Sequence, residues 1–533
     1  MSQPHSFAQS LQYFKDKRLL TIFCFGIASG YPWVLIGSAM SGWLKDEGLS
    51  RSSIGLFGLI FLVYSVNFLW SPLVDRIKLL GLHKLFGQRR SWILFTQSII
   101  VFMAFLLNEL NVEQQLEIMA LYGLIIAIAG ASQDIAIDAY RIDTLNDNDK
   151  NYMAAGSAMA TAGWWTGFAG LGAIPFILVD LPDWTWPQVY VVLSFMMALL
   201  MITAFVAKEP TSNREKFQNE LQQQYAAVVP FHLGNSVLVL VMILALITGI
   251  FLKVFVPSIF ELAFGEDYSL LMFSLLTGIL SAILIWRLSK LNAALQHQST
   301  NALSKDLVPN QFAHFISWML VTLVAPLQEF FNRNGTRLAL SLLLFIFLFK
   351  LGEAYLGRMS IVFYREVGYT NTDIAYYSKI VNWGVTIVFS LVGSVFTIRY
   401  GILKGLFIGG IAMASSNLLF AVIALVGPSK PLLALTVMVD GFTSAWGSVA
   451  FVALLSVLCN HTFTASQYAL MASLGTFGRV TLGSYSGIIV DWLQGNWALF
   501  FVLTAMMVIP SLLFLYSIRK PLTALIEKQQ GST

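Results

Sequence analysis

Charge and cysteine are both scarce in this 533-residue chain, in which only 11% of residues are charged and two are cysteine. A soluble domain of ordinary composition has about a quarter charged residues. The chain is 57% hydrophobic, too apolar for one water-soluble core, since such cores stop growing near about 250–300 residues. Cys24 and Cys459 both lie in or beside apolar runs and predict no disulfide framework.

Motifs for ATP use, metal binding and nucleophilic catalysis are also missing. No GxxxxGK[ST] loop occurs, so nothing supports ATP-driven transport by this chain. The six histidines lack zinc-ligand spacing, and no GxSxG elbow is present. We therefore expect no metal, no cofactor and no enzymatic activity. A membrane-embedded enzyme is the alternative from another class, and a channel or passive receptor is a third option.

Apolar runs of about twenty residues recur along the whole chain, each long enough to cross a hydrocarbon core of about 30 Å. Lipid offers no partner for free backbone N–H and C=O groups, so these runs predict helices. The sequence predicts an all-α membrane protein with about fourteen spans.

Basic residues alternate between the gaps that separate these spans. They precede the first span and follow the second and the last, whereas the gaps at 108–115, 180–188 and 260–268 contain acids and no Lys or Arg. By the positive-inside rule, this asymmetry predicts a multi-pass inner-membrane protein with both termini in the cytoplasm. The net charge of +4 thus reflects orientation, and we expect no nucleic-acid partner.

Two stretches, Tyr152–Trp184 and Tyr468–Trp497, share a tyrosine, spaced glycines, a Val-Asp pair and a following Trp-led span. Such internal symmetry is typical of transporters built from parallel halves, and it predicts a secondary transporter. The predicted organisation is a cytoplasmic segment 1–18, an N-terminal six-helix half 19–207, a central linker 208–335, a C-terminal six-helix half 336–518 and a cytoplasmic tail 519–533. The linker is expected to contain two extra transmembrane helices and a membrane-surface helix from Gln311 to Phe331.

Ionisable residues within the spans are the main candidates for function, because each costs at least about 2.5–3.5 kcal/mol near the bilayer centre. Asp134, Asp138 and Arg141 are spaced to share one helix face. We expect Asp134 to bind a proton; the alternative is a structural ion-pair network in which Asp138 and Arg141, near the basic loop, hold the cytoplasmic side closed. We take Asp138 and Arg141 as residues of such a cytoplasmic gate. The remaining predicted gate residues are Asp75, Arg76, Arg89 and Arg90.

The second half places its candidate charges nearer the middle of the membrane. Glu353, one turn from Lys350, is a second candidate proton carrier, with Lys350 meeting a substrate carboxylate. A self-satisfied pair is the alternative. Asp440 and Arg479 are isolated in their spans, so they either pair with each other or line the central cavity. We take Asp440 as the third proton candidate and Arg479 as a substrate-binding residue.

Uncharged residues complete the predicted substrate site. The amide of Gln133 suits hydrogen bonding to a sugar, Trp164 can act as a platform for a sugar ring, and Tyr355 follows the Lys350–Glu353 pair. The Gly30-Tyr31-Pro32 sequence breaks the first span, so Gly30 either exposes backbone to a ligand or marks a packing kink.

Two motif sets resemble a known family. Leu69-Trp70-Ser71-Pro72-Leu73-Val74-Asp75-Arg76, followed by Gly87-Gln88-Arg89-Arg90, resembles the loop signature of the major facilitator superfamily, with a longer spacer. The segments Phe68–Arg76, Ala131–Asp138, Lys350–Ala354 and Ala450–Asn460 together resemble AmpG-type muropeptide permeases.

The resemblance implies a six-plus-six helix bundle with two additional helices between the halves. It also implies import of GlcNAc–1,6-anhydro-MurNAc, with or without its peptide, from periplasm to cytoplasm for peptidoglycan recycling. Such import is taken to be driven by protons and is linked to β-lactamase induction. The expected partners are this muropeptide, protons and the lipid bilayer, with the protein as a monomer. Transport of another bulky polar solute, such as a nucleotide or a CoA derivative, is the alternative.

Overall fold

The computed structural model describes residues 7–49, 57–145, 151–211, 214–255, 261–263, 265–299, 311–370, 373–483 and 486–531. Within these ranges the chain is helical and contains no strand. The main helices are α1 (Lys17–Gly30), α2 (Ser71–Arg76), α3 (Gln88–Leu106), α4 (Val112–Thr144), α5 (Asn151–Trp165), α6 (Trp186–Val206), α7 (Arg214–Val228), α8 (Leu233–Phe255), α9 (Glu266–Ser299), α10 (Gln311–Leu323), α11 (Ala325–Asn334), α12 (Thr336–Leu348), α13 (Leu351–Val367), α14 (Asn382–Tyr400), α15 (Ile402–Val426), α16 (Lys430–Leu458), α17 (Thr464–Gly483), α18 (Trp497–Met506) and α19 (Val508–Gly531).

Shorter pieces complete several of the membrane spans. The additional α-helices are Phe7–Gln12, Met40–Asp46, Val63–Val66, Leu82–Phe86, Ile174–Val179 and Ser486–Trp492. Three π-helical segments, Val34–Ala39, Thr166–Gly170 and Ile374–Val381, lie in spans of both halves. Short 3-10 segments occur at Tyr13–Lys15, Gly58–Leu62, Asn67–Leu69, Leu107–Glu109, Leu171–Ala173 and Val229–His232. The π-helical segments locally widen the helix and often lie near functional sites.

Polar residues fix the ends of the apolar helices. The Asp16 carboxylate accepts the Arg18 backbone N–H at 2.8 Å and so caps α1. Its hydrogen bond with the Arg18 side chain holds the pKa of the Asp16 carboxyl below its ordinary value. At the start of α18, the Asn496 side chain accepts the Leu499 N–H at 3.1 Å. Helix boundaries are therefore set by local capping as well as by apolar length.

Twelve described helices, some continued through short breaks, are long and apolar enough to cross a membrane. The predicted count of fourteen is therefore not confirmed. The apolar run at 54–73, one of the fourteen predicted spans, consists, from residue 57 onward, of short helical pieces. The one predicted at 467–490 is described as α17 and the helix Ser486–Trp492, with residues 484–485 outside the described ranges. The predicted surface helix Gln311–Phe331 is divided into α10 and α11, which meet at a 52° bend.

A close crossing of α1 and α5 organises the N-terminal half. A Cβ added to Gly30 would lie 2.2 Å from the Trp164 carbonyl oxygen, and one added to Gly163 would lie 2.3 Å from that of Phe23. Such distances leave no room for a side chain, so glycine allows the two backbones to touch. Gly30 thus lies at a packing contact.

Apolar cores lie within each half and also between the halves. One buried cluster joins Leu19, Ile142 and Met153 of the first half with Phe345 and Leu454 of the second. A separate cluster, containing Tyr225, Val229 and Leu320 among others, holds the linker helices α7, α8 and α10 together. The shared cluster shows that the two halves pack directly against each other at one end of the bundle.

Candidate functional site

A buried ion-pair cluster closes the bundle at the end where the halves meet. Arg89, only 1% exposed, lies 2.9 Å from a carboxylate oxygen of Asp75 and 2.9 Å from one of Asp143. Arg214 at the start of α7 adds a second cation 3.2 Å from Asp143. Two carboxylates thus face two guanidinium groups, which compensates much of the penalty of taking these charges out of water.

Asp75 also links this cluster to the second half. Its oxygens accept the backbone N–H groups of Ala465 at 3.2 Å and Ser466 at 2.8 Å, and the Ser466 hydroxyl at 2.6 Å. These N–H groups belong to the first turn of α17, where they have no partner within the helix. A carboxylate there also interacts favourably with the positive end of the helix dipole. Asp75 therefore caps a helix of the opposite half.

Arg141 makes a second bridge between the halves. Its guanidinium lies 3.0 Å from Asp138, donates to the Ser456 hydroxyl at 2.9 Å and lies over the Tyr468 ring at 5.3 Å. Arg141 is 1% exposed. Four of the predicted gate residues thus take part in the contacts at this end of the bundle: Asp75, Arg89, Asp138 and Arg141.

The other two predicted gate residues contact different partners. Arg76 donates to Gln218 at 3.3 Å and to Gln222, both on α7. Gln218 in turn donates to the Thr462 carbonyl of the second half at 2.9 Å. Arg90 instead donates to the carbonyl oxygens of Ala204 and Phe205 at 2.8 and 2.7 Å. The linker helix α7 therefore takes part in the contacts between the halves, whereas Arg90 connects α3 to α6.

These contacts between the halves lie at the same end of the bundle as the first residues of α1, because Arg18 donates to the Thr144 carbonyl at 2.9 Å. They extend from Thr464, whose hydroxyl donates to Asp143 at 2.7 Å, to Ser473, which donates to Asn67 at 2.6 Å. Nine helical residues correspond to about 13 Å. Every hydrogen bond described between the N- and C-terminal halves lies within this depth or beside it. We call these contacts, together with the ion pairs of Arg89, Arg141 and Arg214 and the contacts of Gln218, the gate.

Asp134 lies in the first half at the inner limit of the gate, nine residues, or about 13 Å of helix, from Asp143. Its carboxylate accepts the Ser29 hydroxyl at 2.6 Å and has no cation within salt-bridge distance among the described side chains. The neighbouring Gln133 is fully buried; its Nε2 donates to the Ala28 carbonyl at 2.6 Å, and its Oε1 has no partner in the described chain. Asp134 is thus a half-buried carboxyl group that accepts a hydrogen bond from a hydroxyl donor.

A charged cluster in the second half forms where the span 336–367 breaks. Lys350 lies at the break between α12 and α13 with φ −101° and ψ 17°. Its ammonium contacts Glu353 at 3.1 Å and donates to the Ser448 hydroxyl at 2.6 Å. The Ser444 hydroxyl donates to the other Glu353 oxygen at 2.6 Å. We call Lys350, Glu353, Ser444 and Ser448, together with Asp440, the charged wall.

Asp440 is on the same face of α16 as Ser444 and Ser448, because the three are spaced by four residues. Its carboxylate accepts the Ser416 hydroxyl at 3.1 Å. No ion pair joins Asp440 to Arg479 among the described residues, and Arg479 is exposed, within electrostatic reach of Glu353. Of the two arrangements that the sequence left open, the direct pair is therefore not the one formed.

Aromatic rings gather in the first half around Trp33. Its ring centroid lies 4.5 Å from that of Phe61, 4.8 Å from Tyr64 and 5.8 Å from Trp164. Phe168 packs against Trp164 at 5.1 Å. The Trp33 indole N–H and the Tyr64 hydroxyl are buried without a protein partner in the described chain. We call these five rings the aromatic wall.

The two walls adjoin the interface between the halves. The helix α5, which carries Trp164, packs against α14 and α16 of the second half. Trp383 on α14 lies against Gly170, just beyond Phe168, where an added Cβ would be 2.9 Å from the indole ring. Tyr355 is 7% exposed and belongs to a separate apolar core around Phe363.

Several residues of these clusters were not predicted from the sequence. They are Asp143, Arg214, Gln218, Ser456, Thr464 and Ser466 in the gate, and Ser444 and Ser448 in the charged wall. The four-residue spacing from Asp440 could have identified the two serines. Thr464-Ala465-Ser466 has the composition of a helix start, but its partner lies in the other half.

Metal binding finds no support in the described ranges, where no three His, Cys, Asp or Glu side chains converge. The site therefore combines the gate, two walls of different chemistry, and the carboxyl groups of Asp134 and Asp440, which have no cationic partner among the described side chains. Together with the twelve apolar helices, these features define a polytopic membrane transporter of two packed halves.

Comparison with known proteins gives the family. Residues 19–303 match the family model of the Major Facilitator Superfamily, and the chain belongs to this superfamily. The xylose–proton symporter XylE, solved with 6-bromo-6-deoxy-D-glucose, has the same fold, with a TM-score of 0.57 over 94% of each chain at 13% identity. The six-plus-six fold class predicted from the sequence is thereby confirmed.

The resemblance to AmpG-type permeases is confirmed along nearly the whole chain. The putative transporter AmpG 4 of Rickettsia felis is 28% identical over 95% of this chain and 98% of its own length. The anhydromuropeptide permease of Escherichia coli K12 is 26% identical over 97% of this chain and 82% of its own length. These relatives are transporters, and this chain is a transporter rather than an enzyme.

Proposed function

We propose that this protein imports anhydromuropeptides from the periplasm to the cytoplasm by proton-coupled alternating access. The substrate class is that named for the Escherichia coli relative, an anhydromuropeptide permease whose similarity covers both halves of the chain. The expected cargo is GlcNAc–1,6-anhydro-MurNAc with or without its peptide, for peptidoglycan recycling.

The structural observation that carries the proposal is the contrast between the two walls. A peptide-bearing amino sugar has a ring face, amide and hydroxyl groups, and carboxylates. The aromatic wall offers ring faces and two unpartnered donors, the Trp33 N–H and the Tyr64 hydroxyl. The charged wall offers the Lys350 ammonium and lies near Arg479. We assign sugar binding to the aromatic wall and carboxylate binding to Lys350 and Arg479.

Two half-buried carboxyl groups support proton coupling. Asp134 and Asp440 each contact a serine hydroxyl and no cation among the described side chains, whereas Glu353 is already paired with Lys350. Closing a cavity over an unpaired carboxylate is costly, and a bound proton removes this penalty. We therefore favour Asp134 and Asp440 as proton carriers and keep Glu353 as a carrier released when Lys350 meets the substrate.

The gate supports a transport cycle that starts from the conformation described here. Basic loops are concentrated at the gate end, which we assign to the cytoplasm together with both termini. The molecule is then closed toward the cytoplasm and ready to accept substrate from the periplasm. Substrate and proton binding would allow the walls to approach and the gate to open.

The proposed organisation keeps the halves at 19–207 and 336–518 and the linker at 208–335, in a monomer of the bacterial inner membrane. Within the linker, α7 bridges the gate, while α8 and α9 pack beside each other. We assign these two helices to the two extra spans.

The proposal is tested with purified protein in liposomes and radiolabelled anhydromuropeptide, with an imposed inward proton gradient. We expect accumulation above the outside concentration, abolished by a protonophore. D134N, E353Q and D440N should lose accumulation, while D134N and D440N retain exchange of internal for external substrate. Normal proton-driven accumulation in all three variants would contradict the assignment of these acids. The absence of any uptake, with a nucleotide sugar or CoA derivative transported instead, would contradict the substrate.

A further inference from the structure

A groove of about 710 Å³ lies between α15 and α19, away from both walls. Its apolar surface includes Leu403, Phe407 and Tyr516, and its rim includes Lys404, Arg519 and Lys520. No residue that lines it is acidic. The groove therefore combines an apolar floor with three cationic side chains.

These three cations differ from the arginines of the gate. Arg89, Arg141 and Arg214 each lie within 3.2 Å of a carboxylate oxygen. Lys404, Arg519 and Lys520 have no carboxylate partner in the part of the chain that is described. The Arg519 guanidinium lies over the Tyr516 ring, with Cζ 3.4 Å from the ring centroid, which holds it beside the groove.

The position of the groove matches the edge of a bilayer. The span that begins at Trp497 reaches Arg519 after 22 residues, or about 33 Å of helix, close to the about 30 Å thickness of a hydrocarbon core. Leu403 packs against the apolar cluster shared by the two halves, so the groove lies at the gate end. Its cations thus lie at headgroup level, and its apolar floor extends toward the acyl chains.

We propose that this groove binds an anionic phospholipid of the leaflet on the gate side. Arg519 and the two lysines would contact the headgroup phosphate, and an acyl chain would lie along Phe407 and Leu403. Guanidinium and ammonium groups without acidic partners favour a phosphate. A soluble phosphate would use only the rim, whereas a lipid uses both the rim and the floor.

Native mass spectrometry of the full-length protein tests this inference, with dioleoyl phosphatidylglycerol and dioleoyl phosphatidylcholine as the probes. The triple variant K404Q/R519Q/K520Q is compared with the control K84Q/K208Q/K216Q, which removes three exposed lysines from other parts of the chain. Each basic residue near the surface strengthens binding by roughly fivefold, so the triple variant should bind phosphatidylglycerol roughly 100-fold more weakly. The control and the wild type should bind it alike and in preference to phosphatidylcholine.

Two further experiments distinguish a lipid headgroup from a soluble phosphate and control for a folding defect in the triple variant. The single variant R519Q should weaken phosphatidylglycerol binding by roughly fivefold, whether or not the triple variant folds. Soluble glycerol 3-phosphate should not compete at concentrations well above those of the lipid. Equal lipid binding by R519Q and wild type, or effective competition by glycerol 3-phosphate, would overturn the proposal.

Discussion

The two halves of this transporter place their charges at different depths and use them in different ways. In the first half, Asp75, Arg89 and Asp143 lie at one end of the bundle and form ion pairs with one another. In the second half, Lys350 and Glu353 form a pair where a span breaks, and Asp440 accepts a serine hydroxyl and has no cationic partner among the described side chains. Paired charges stabilise a closed conformation, whereas an unpaired acid can exchange a proton. The difference suggests that one half contributes most of the gate and the other much of the coupling site.

Breaking the buried ion pairs of the gate in the first half should cause the largest loss of stability. R89A removes the guanidinium group that pairs with the buried carboxylates of Asp75 and Asp143. Breaking a buried ion pair in this way costs about 3–5 kcal/mol of stability. We expect a large loss of thermal stability and faster alkylation of a cysteine placed at Ser473. Thermal unfolding and labelling with a membrane-impermeant maleimide measure the two effects. K84A, which removes an exposed lysine, is the control; equal stability of R89A and K84A would contradict the role given to the gate.

Breaking the Lys350–Glu353 ion pair of the second half should cause a smaller loss of stability. The Lys350 and Glu353 side chains are 15% and 26% exposed, so K350A should cost less than the about 3–5 kcal/mol of a fully buried pair. The double variant K350A/E353A should recover part of the stability but not transport, because Lys350 is assigned to the substrate. Unfolding and uptake measured on the double-mutant cycle separate the two roles. Recovery of both would reduce Lys350 to a structural partner of Glu353.

A single hydrogen bond across the gate should have a moderate effect. T464V removes the hydroxyl that donates to Asp143 at 2.7 Å, and a hydrogen bond to a charged group contributes about 1.5–3 kcal/mol. T464S keeps the hydroxyl and should behave like the wild type. Thermal unfolding of the three proteins checks the order, which is wrong if T464S loses as much stability as T464V.

The aromatic wall should give the smallest change in stability. Trp33 has a buried indole N–H with no partner in the described chain, so W33F breaks no described hydrogen bond and should change stability little. If this N–H binds substrate, KM should rise about 3–10-fold, as expected for one neutral hydrogen bond. The matched control is W186F: the Trp186 N–H donates to Asp46 at 2.7 Å, so this variant should lose stability and keep its KM. An unchanged KM in W33F removes Trp33 from the substrate site.

Sequence reasoning predicted the class of the fold better than the contacts of the site. Apolar length and alternating basic loops are local properties, so they predicted a helical bundle and its orientation, and the repeated pattern of Tyr152–Trp184 and Tyr468–Trp497 predicted its two halves. The spacing of Asp138 and Arg141 likewise predicted a pair that the structure contains. The partners of Asp75 could not be predicted in this way, because Ser466 lies 391 residues further along the chain. Helix spacing finds neighbours on one helix, whereas the gate depends on how two halves pack.

The broken spans show a second limit of sequence reasoning. The segment at 54–73 is apolar enough for one span, yet from residue 57 the structure divides it into short helical turns. Lys350 lies at another break, next to Gly352, whose added Cβ would be 2.5 Å from the Thr504 carbonyl oxygen. Such breaks arise from contacts between helices, which hydropathy does not report.

The division of roles between the halves is tested most directly by a distance across the gate. Spin labels at K84C in the first half and Y400C in the second report its opening by double electron–electron resonance, with anhydromuropeptide present at acidic and at neutral pH. We predict that the wild type opens mainly at acidic pH, whereas D440N, in which one of the proposed proton carriers is permanently neutral, shows a weaker pH dependence. The same pH dependence in D440N and in the wild type would contradict the account.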